Sequence, residues 1–205
     1  MLPYEILFII SEYADFIPVN KVLHKHKLDN YVYRLSRKYS LEYYEKKIKL
    51  DCKHICLDLS ECHHITDVSA LGNVKDLNLS YCENITDVSA LRNVKVLDLS
   101  GCRNIRDVSM LGNVKELNLS CCQNITDVSA LRNVEKLDLS YCLNITDVSI
   151  LGNVRKLILR NCNGVTDVSM LGGVYYLDLI NTKVRGVQNL KNVRHLFLEG
   201  CEILD

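Results

Sequence analysis

Tryptophan is absent from this 205-residue chain, and proline and phenylalanine are rare, with two and three residues. No apolar run approaches the roughly 18 residues needed to span a bilayer. The apolar start of the chain is interrupted by Glu5, Glu12 and Asp15 and has no basic leader, so it is not typical of a signal peptide. We therefore expect a soluble protein of the cytosol or nucleus that has no membrane partner.

An excess of charge of one sign is also lacking, because the formal net charge is zero. The one basic stretch, residues 21–49, interleaves lysines and arginines with tyrosines that could stack on bases. A solvated helical face with its tyrosines turned inward explains this stretch better. No nucleic-acid partner is expected.

Motifs for catalysis are missing as well: there is no nucleophile–base pair, glycine-rich phosphate loop or HExxH motif. One group of residues has zinc-ligand types but lacks paired ligand spacing: Cys52, His54, Cys56, Cys62, His63 and His64. We predict a non-enzymatic protein with no catalytic residue, no metal and no cofactor.

What the chain does have is a repeat. Cysteines recur every 20 residues, and residues 74–93, VKDLNLSYCENITDVSALRN, show the unit in full. Full units begin at Val74, Val94, Val114, Val134 and Val154. A divergent unit at His54, a shortened one at Val174 and a truncated one at Val193 bring the count to eight coils. A short fixed period predicts a stack of similar coils whose function lies on a surface.

The alternation V-x-x-L-x-L predicts a strand in each coil with its leucines inward, and successive strands should form a parallel sheet. Twenty residues leave no room for a helix of about 11 residues. The return path should therefore be a short helical turn or extended chain, with Thr86 or Asp87 and their equivalents suited to capping it. The fold class is α/β: a right-handed solenoid over residues 51–205, with a small helical cap over residues 1–50.

The unit V-x-x-L-x-L-S-x-C-x-N resembles the leucine-rich repeat, and the likeness covers about three quarters of the chain. The wording C-x-N-I-T-D resembles the cysteine-containing repeats of F-box proteins, although those units are longer. Such short, near-identical arrays are also similar to those in predicted proteins of large DNA viruses. The resemblance implies a solenoid with its sheet on the concave face and a role in protein–protein interaction.

The cysteine column could in principle form disulfides or bind a metal, since its members should lie one strand spacing apart, about 4.8 Å. Thr182 occupies the same position in the shortened coil, and threonine can do neither. Cysteine and threonine share a small size and a weak donor able to bond a loop carbonyl. We therefore interpret the column as a structural ladder: Cys62, Cys82, Cys102, Cys122, Cys142, Cys162 and Thr182. Cys121 should be partly exposed.

Outward strand positions predict the composition of the concave face. In the first five coils the central column alternates Asp and Asn, which softens the repulsion an all-Asp column would build. From Ile158 onward the outward residues become bulkier, basic or apolar, as at interface hot spots. We predict a binding site for a protein partner there, formed by Lys156, Ile158, Arg160, Tyr175, Tyr176, Ile180, His195 and Phe197.

The start of the chain, L-P-Y-E-I-L-x-x-I-x-E-Y, resembles the opening of an F-box over roughly residues 2–40. Helices are expected from about residue 2 to near Pro18, around residues 21–26 and over about residues 29–47. The tryptophan common in the last helix of that motif is missing. The resemblance implies docking to the Skp-type linker of a cullin ubiquitin ligase through Leu2, Pro3, Ile6, Leu7 and Ile10.

Two interpretations of the whole chain stay open at this point. In the first, an F-box-like cap recruits a ubiquitin ligase while the repeat sheet holds a substrate protein. In the second, the chain is a binding scaffold whose residues 1–50 only cap the first coil.

Overall fold

The computed structural model describes residues 8–9, 31–34 and 55–204 of the chain. Most of the predicted N-terminal cap lies outside these residues. So do all five residues predicted to contact a linker protein: Leu2, Pro3, Ile6, Leu7 and Ile10.

Each coil contributes one short strand, because its paired leucines alternate with outward polar residues. All neighbouring strands are parallel, and equivalent residues pair from coil to coil, as Leu97 does with Leu117. The strands of the described residues are Phe8–Ile9 (β1), Tyr31–Arg34 (β2), Ile55–Asp58 (β3), Asp76–Asn78 (β4), Val96–Asp98 (β5), Glu116–Asn118 (β6), Lys136–Asp138 (β7), Lys156–Ile158 (β8), Tyr176–Asp178 (β9), Lys183–Val184 (β10), His195–Phe197 (β11) and Glu202–Ile203 (β12). Ten of them form the main sheet in the order β1-β2-β3-β4-β5-β6-β7-β8-β9-β11, and β10 pairs with β12 in a second sheet.

The return side of each of the first seven coils carries a single 3-10 turn, which confirms the prediction made from the length of the unit. The turns are Ser69–Leu71, Ser89–Asn93, Ser109–Leu111, Ser129–Asn133, Ser149–Asn153, Ser169–Leu171 and Val187–Leu190. In six coils the aspartate two residues before the first serine accepts that serine's backbone N–H, as Asp87 does from Ser89 at 2.8 Å. The aspartate thus closes a side-chain turn over the valine that stands at the N-cap, and the valine itself makes no side-chain capping bond.

The core is a set of continuous columns along the solenoid. In coil four Val114, Leu117, Leu119, Cys122 and Ile125 are all 2% exposed or less, and equivalent residues of the neighbouring coils are equally buried. A coil at the end of the stack lacks one neighbour, and Val193, Leu196 and Leu198 of the last coil are only partly buried. Each coil therefore depends on both neighbours to bury its apolar residues.

The corner after each strand is tight. The residue at this corner has positive φ in all eight coils, including Tyr81, Cys121 and Tyr141 near 60°. Gly101 and Gly200 occupy the position in two coils, where glycine adopts this conformation without strain. Cys121 is half-buried at its corner, in agreement with the sequence prediction.

Two described segments near the start of the chain extend the sheet. Residues 31–34 pair with β3, and residues 8–9 pair in turn with 31–34. The sequence predicts helices across both segments, so the structure corrects that prediction at these six residues. The physical reason is that β3 would otherwise leave a row of unpaired backbone groups at the edge of the sheet. The alternation of aromatic and branched residues in Y-V-Y fits a strand as well as a helix.

Candidate functional site

The outward positions of strands β3 to β9 and β11 line one face of the sheet, here called the concave face. In the first five coils its central column is Asp58, Asn78, Asp98, Asn118 and Asp138, which we call the polar ladder. Each of these side chains accepts the backbone N–H of the serine two residues later, at 2.8–3.1 Å. Asp and Asn therefore serve first to hold the corner that follows each strand.

Neighbouring members of the polar ladder also interact across coils. The Nδ2 of Asn118 donates to Oδ2 of Asp98 at 3.1 Å. An aspartate at position 118 would place a like charge beside Asp98 and remove this donor. At this pair of coils the amide thus adds a hydrogen bond to the reduced repulsion.

The last three coils carry the predicted partner site, which we call the C-terminal patch. The structure brings its eight residues onto three adjacent strands and their flanks. Lys156 of β8 is in register with Tyr176 of β9, and Tyr176 with His195 of β11. Arg160 and Ile180 follow their strands, and Tyr175 directly precedes β9. Their use in binding stays a prediction.

The aromatic side chains of the C-terminal patch touch one another. The ring of Tyr176 lies 5.0 Å from that of Phe197, and Tyr175 meets His195 edge-on at 5.3 Å. Phe197 is 39% exposed and Tyr175 is 41% exposed. Paired rings with open surface are preformed contact area, because little further ordering is needed when a partner covers them.

Cations stand around these rings. Arg155 and Arg194 lie 5.8 and 5.7 Å from the centre of the Tyr175 ring, and Lys156 lies 4.9 Å from that of Tyr176. Arg155 and Arg194 were not predicted as site residues. The signal that would have found them is position alone, since both share the column of Tyr175.

An ion pair between exposed Arg160 and buried Asp178 lies in the middle of the C-terminal patch. Asp178 is fully buried, and its Oδ2 accepts from Nε of Arg160 at 2.7 Å and from NH2 at 2.6 Å. Its Oδ1 accepts the backbone N–H of Ile180 at 3.2 Å. The hydrogen bond and charge of Asp178 raise the pKa of Arg160. Arg160 is one of the site residues predicted from the sequence, but its hydrogen bonds to Asp178 were not predicted.

The cysteine column is internal, as predicted. The thiols of Cys82, Cys102, Cys122, Cys142 and Cys162 each donate to a leucine carbonyl of the preceding coil, at 2.9–3.2 Å. Burial raises the pKa of Cys82 to about 11 and that of Cys102 to about 12. These thiols stay protonated at neutral pH, so they are donors and not nucleophiles.

Thr182 continues the column with a hydroxyl. Its Oγ1 donates to the carbonyl of Leu179 in its own coil at 2.6 Å and lies 3.4 Å from Sγ of Cys201. Cys201 is therefore the column's member in the last coil. The 20-residue period does not predict Cys201 as a member, because the spacing from Thr182 shortens to 19 residues.

Within residues 55–204, no three His, Cys, Asp or Glu side chains are grouped so that they could hold a metal ion. Cys52 and His54 of the zinc-type cluster lie outside the described residues. A search of the same region for a helix long and apolar enough to cross a membrane finds none.

A leucine-rich repeat family model matches residues 73–91, 90–111 and 113–131. The repeat region has the fold of a leucine-rich repeat solenoid. An internalin C2 from Listeria monocytogenes is similar in structure, with 29% identity, a TM-score of 0.51 and 67% of each chain covered. A leucine-rich repeat protein from Leptospira interrogans shares 17% identity at a TM-score of 0.50, over 85% of this chain and 54% of its own. A search of curated proteins finds no match to this sequence.

Proposed function

We propose that this protein binds a partner protein on the C-terminal patch of its leucine-rich repeat sheet. Leucine-rich repeats form protein–protein interaction modules, and their fold typically serves as a non-enzymatic scaffold. The observation that supports this patch is the packing of Tyr176 against Phe197 at 5.0 Å beside three cations. Exposed aromatic and aliphatic groups combined with arginine are the composition of binding hot spots.

The test truncates outward apolar side chains, of which Phe197 is exposed and Ile158 and Tyr176 are half-buried, while keeping the buried columns. A variant with Ile158→Ala, Tyr176→Ala and Phe197→Ala should lose at least tenfold in affinity for a partner that the wild-type chain captures from host-cell lysate. The captured protein is purified, and its Kd is measured by calorimetry against both chains. The matched control is Val96→Ala, Glu116→Ala and Lys136→Ala, which truncates outward residues of β5 to β7. Equal binding by all three chains would exclude the patch.

The adaptor role is the finer form of this proposal. In it, residues 1–50 act as an F-box-like domain that recruits a Skp-type linker and so brings a bound substrate to a cullin ubiquitin ligase. This would take place in the cytoplasm, or in the cytosol or nucleus of the host cell if the protein is viral. Its support is the sequence L-P-Y-E-I-L at positions 2–7. The bound substrate would then be the protein held on the C-terminal patch.

Co-expression with a Skp-type linker tests the adaptor role directly. The two proteins should elute together in gel filtration, and Ile6→Asp with Leu7→Asp should separate them. Circular dichroism of the separated chain checks that the repeats remain folded. Separate elution of a folded wild-type chain would instead favour a scaffold.

The scaffold is the second candidate, and a specific observation favours it. Strands at Tyr31–Arg34 and Phe8–Ile9 extend the sheet beyond the first coil. A segment that pairs with the open edge of β3 already has a structural role as a cap.

A further inference from the structure

We propose that the C-terminal patch takes an acidic protein segment that also carries an apolar side chain. The carboxylates of that segment face Arg155, Lys156 and Arg194, and its apolar group packs on Ile158, Ile180 and Phe197. This inference rests on the proposed function of the patch and adds the chemical class of its partner.

The cations of the C-terminal patch differ in ion pairing from cations of the middle coils. Two cations of the middle coils pair across coils: Lys115 with Glu135 at 3.1 Å and Lys136 with Glu116 at 2.7 Å. Among the ion pairs of the described residues, none includes Arg155, Lys156 or Arg194. Because Asp178 is bound to Arg160, these three unpaired cations form a local positive field that an anionic partner would neutralise.

Aromatic rings hold these cations in place. Tyr175 lies between Arg155 and Arg194, and Tyr176 lies beneath Lys156. A cation ordered by a ring has already lost part of its side-chain freedom before a partner arrives. The cluster is therefore organised for binding an anion, whereas a solvated lysine would lose that freedom on binding.

Positive charge and apolar surface are separated within the C-terminal patch. Arg155, Lys156 and Arg194 lie at the start of their strands, whereas Ile158 and Phe197 end β8 and β11. Arg160 adds no net charge to the second half, because buried Asp178 binds its guanidinium at 2.6 Å. A complementary segment needs carboxylates along one side and an apolar group along the other.

The surroundings favour a protein segment over a nucleic acid. Three adjacent strands span only about 10 Å between the outer two. Asp138, the last carboxylate of the polar ladder, is in register with Ile158 at the border of the C-terminal patch. A phosphate backbone that continued along the sheet would meet Asp138 and Asp98, whereas single-strand binding needs a positive groove that tracks the backbone.

The experiment selects peptides without assuming their sequence. Random 12-residue peptides displayed on phage are panned against the full-length chain, and the most enriched ones are synthesised with a fluorescent label. Enriched peptides should contain more Asp and Glu than the starting library. Fluorescence anisotropy should show a Kd at least tenfold weaker for Arg155→Glu with Arg194→Glu.

The matched control is Lys75→Glu with Lys95→Glu, which reverses two charges in the same column on the first coils. It should change the Kd less than twofold, so a general effect of net charge is excluded. Equal losses in both variants would overturn the proposal, and so would displacement of the peptides by a 15-residue oligothymidylate at equal concentration.

Two failures can be told apart. Peptides that need Tyr176 and Phe197 but are not acidic would contradict this inference and leave the proposed function standing. The inference and the proposed function would both be contradicted if the Kd of the peptides were unchanged by Tyr176→Ala with Phe197→Ala and also by Arg155→Glu with Arg194→Glu. A selection that yields no peptide dependent on the C-terminal patch would contradict both as well.

Discussion

The first five coils and the last three share their buried columns and differ in their outward ones. Leu119 in coil four and Leu179 in coil seven are both fully buried. Outward, the polar ladder of the early coils gives way to Ile158, buried Asp178 and exposed Phe197. This difference shows that stacking restricts the residue types at the inward positions of each coil. The outward residues can vary wherever the following corner does not need a side-chain acceptor.

The corner is the reason the early coils look so uniform outside. An Asp or Asn in the central column accepts the N–H of residue i+2, so polarity there is structural. Asp178 keeps that bond in coil seven, although a guanidinium covers its carboxylate. Uniformity on this face therefore reflects the backbone, and departure from it is the better indicator of binding.

The largest expected contrast is in the core. Leu119→Ala should lower the free energy of unfolding by about 2–5 kcal/mol, because a fully buried leucine leaves a cavity between two neighbours. Leu198→Ala in the partly buried last coil should cost about 1 kcal/mol. Urea unfolding followed by circular dichroism measures both. Equal losses would show that the last coil is covered in solution.

The ion pairs of the two regions should differ next. Arg160→Met leaves the buried carboxylate of Asp178 without its partner and should destabilise the chain by about 1–3 kcal/mol. Lys136→Met breaks an exposed pair with Glu116 and should cost less than about 1 kcal/mol. Thermal and urea unfolding at low and high salt compare the two. If Arg160→Met proves neutral, the pair does not order the C-terminal patch.

The thiol column should make the early coils sensitive to alkali. Burial raises the pKa of Cys102 to about 12, so its stabilising effect is present below the unfolded pKa and is lost as the pH rises from about 8.5 towards 12. Cys102→Ser should reduce the slope of unfolding free energy against pH by up to about 1.4 kcal/mol per unit above pH 9. Val108→Ala, a control without loss of a thiol, should keep the wild-type slope. An unchanged slope in Cys102→Ser would mean that this thiol is ionised in the folded chain.

Much of the solenoid could be predicted because each feature repeats. The count of coils, the inward columns, the short turns and the inward cysteine column follow from a 20-residue period and alternation alone. Local ambiguity limited the rest: Tyr31–Arg34 fits either a helix or a strand, and the open edge of β3 decides for the strand. The Arg160–Asp178 bond could not be predicted from the period, because it joins residues of two different coils and Asp178 belongs to the shortened one.

By itself, the sequence determined that the chain stacks, which residues face inward and where the outward pattern ends. These depend on the period and on polarity, and both are local properties of the chain. Only the tertiary structure decided that Arg155 and Arg194 flank Tyr175 and that Asp178 is buried beneath Arg160. Such contacts depend on the side-chain directions of several adjacent coils at once, and no single unit of the sequence contains that information.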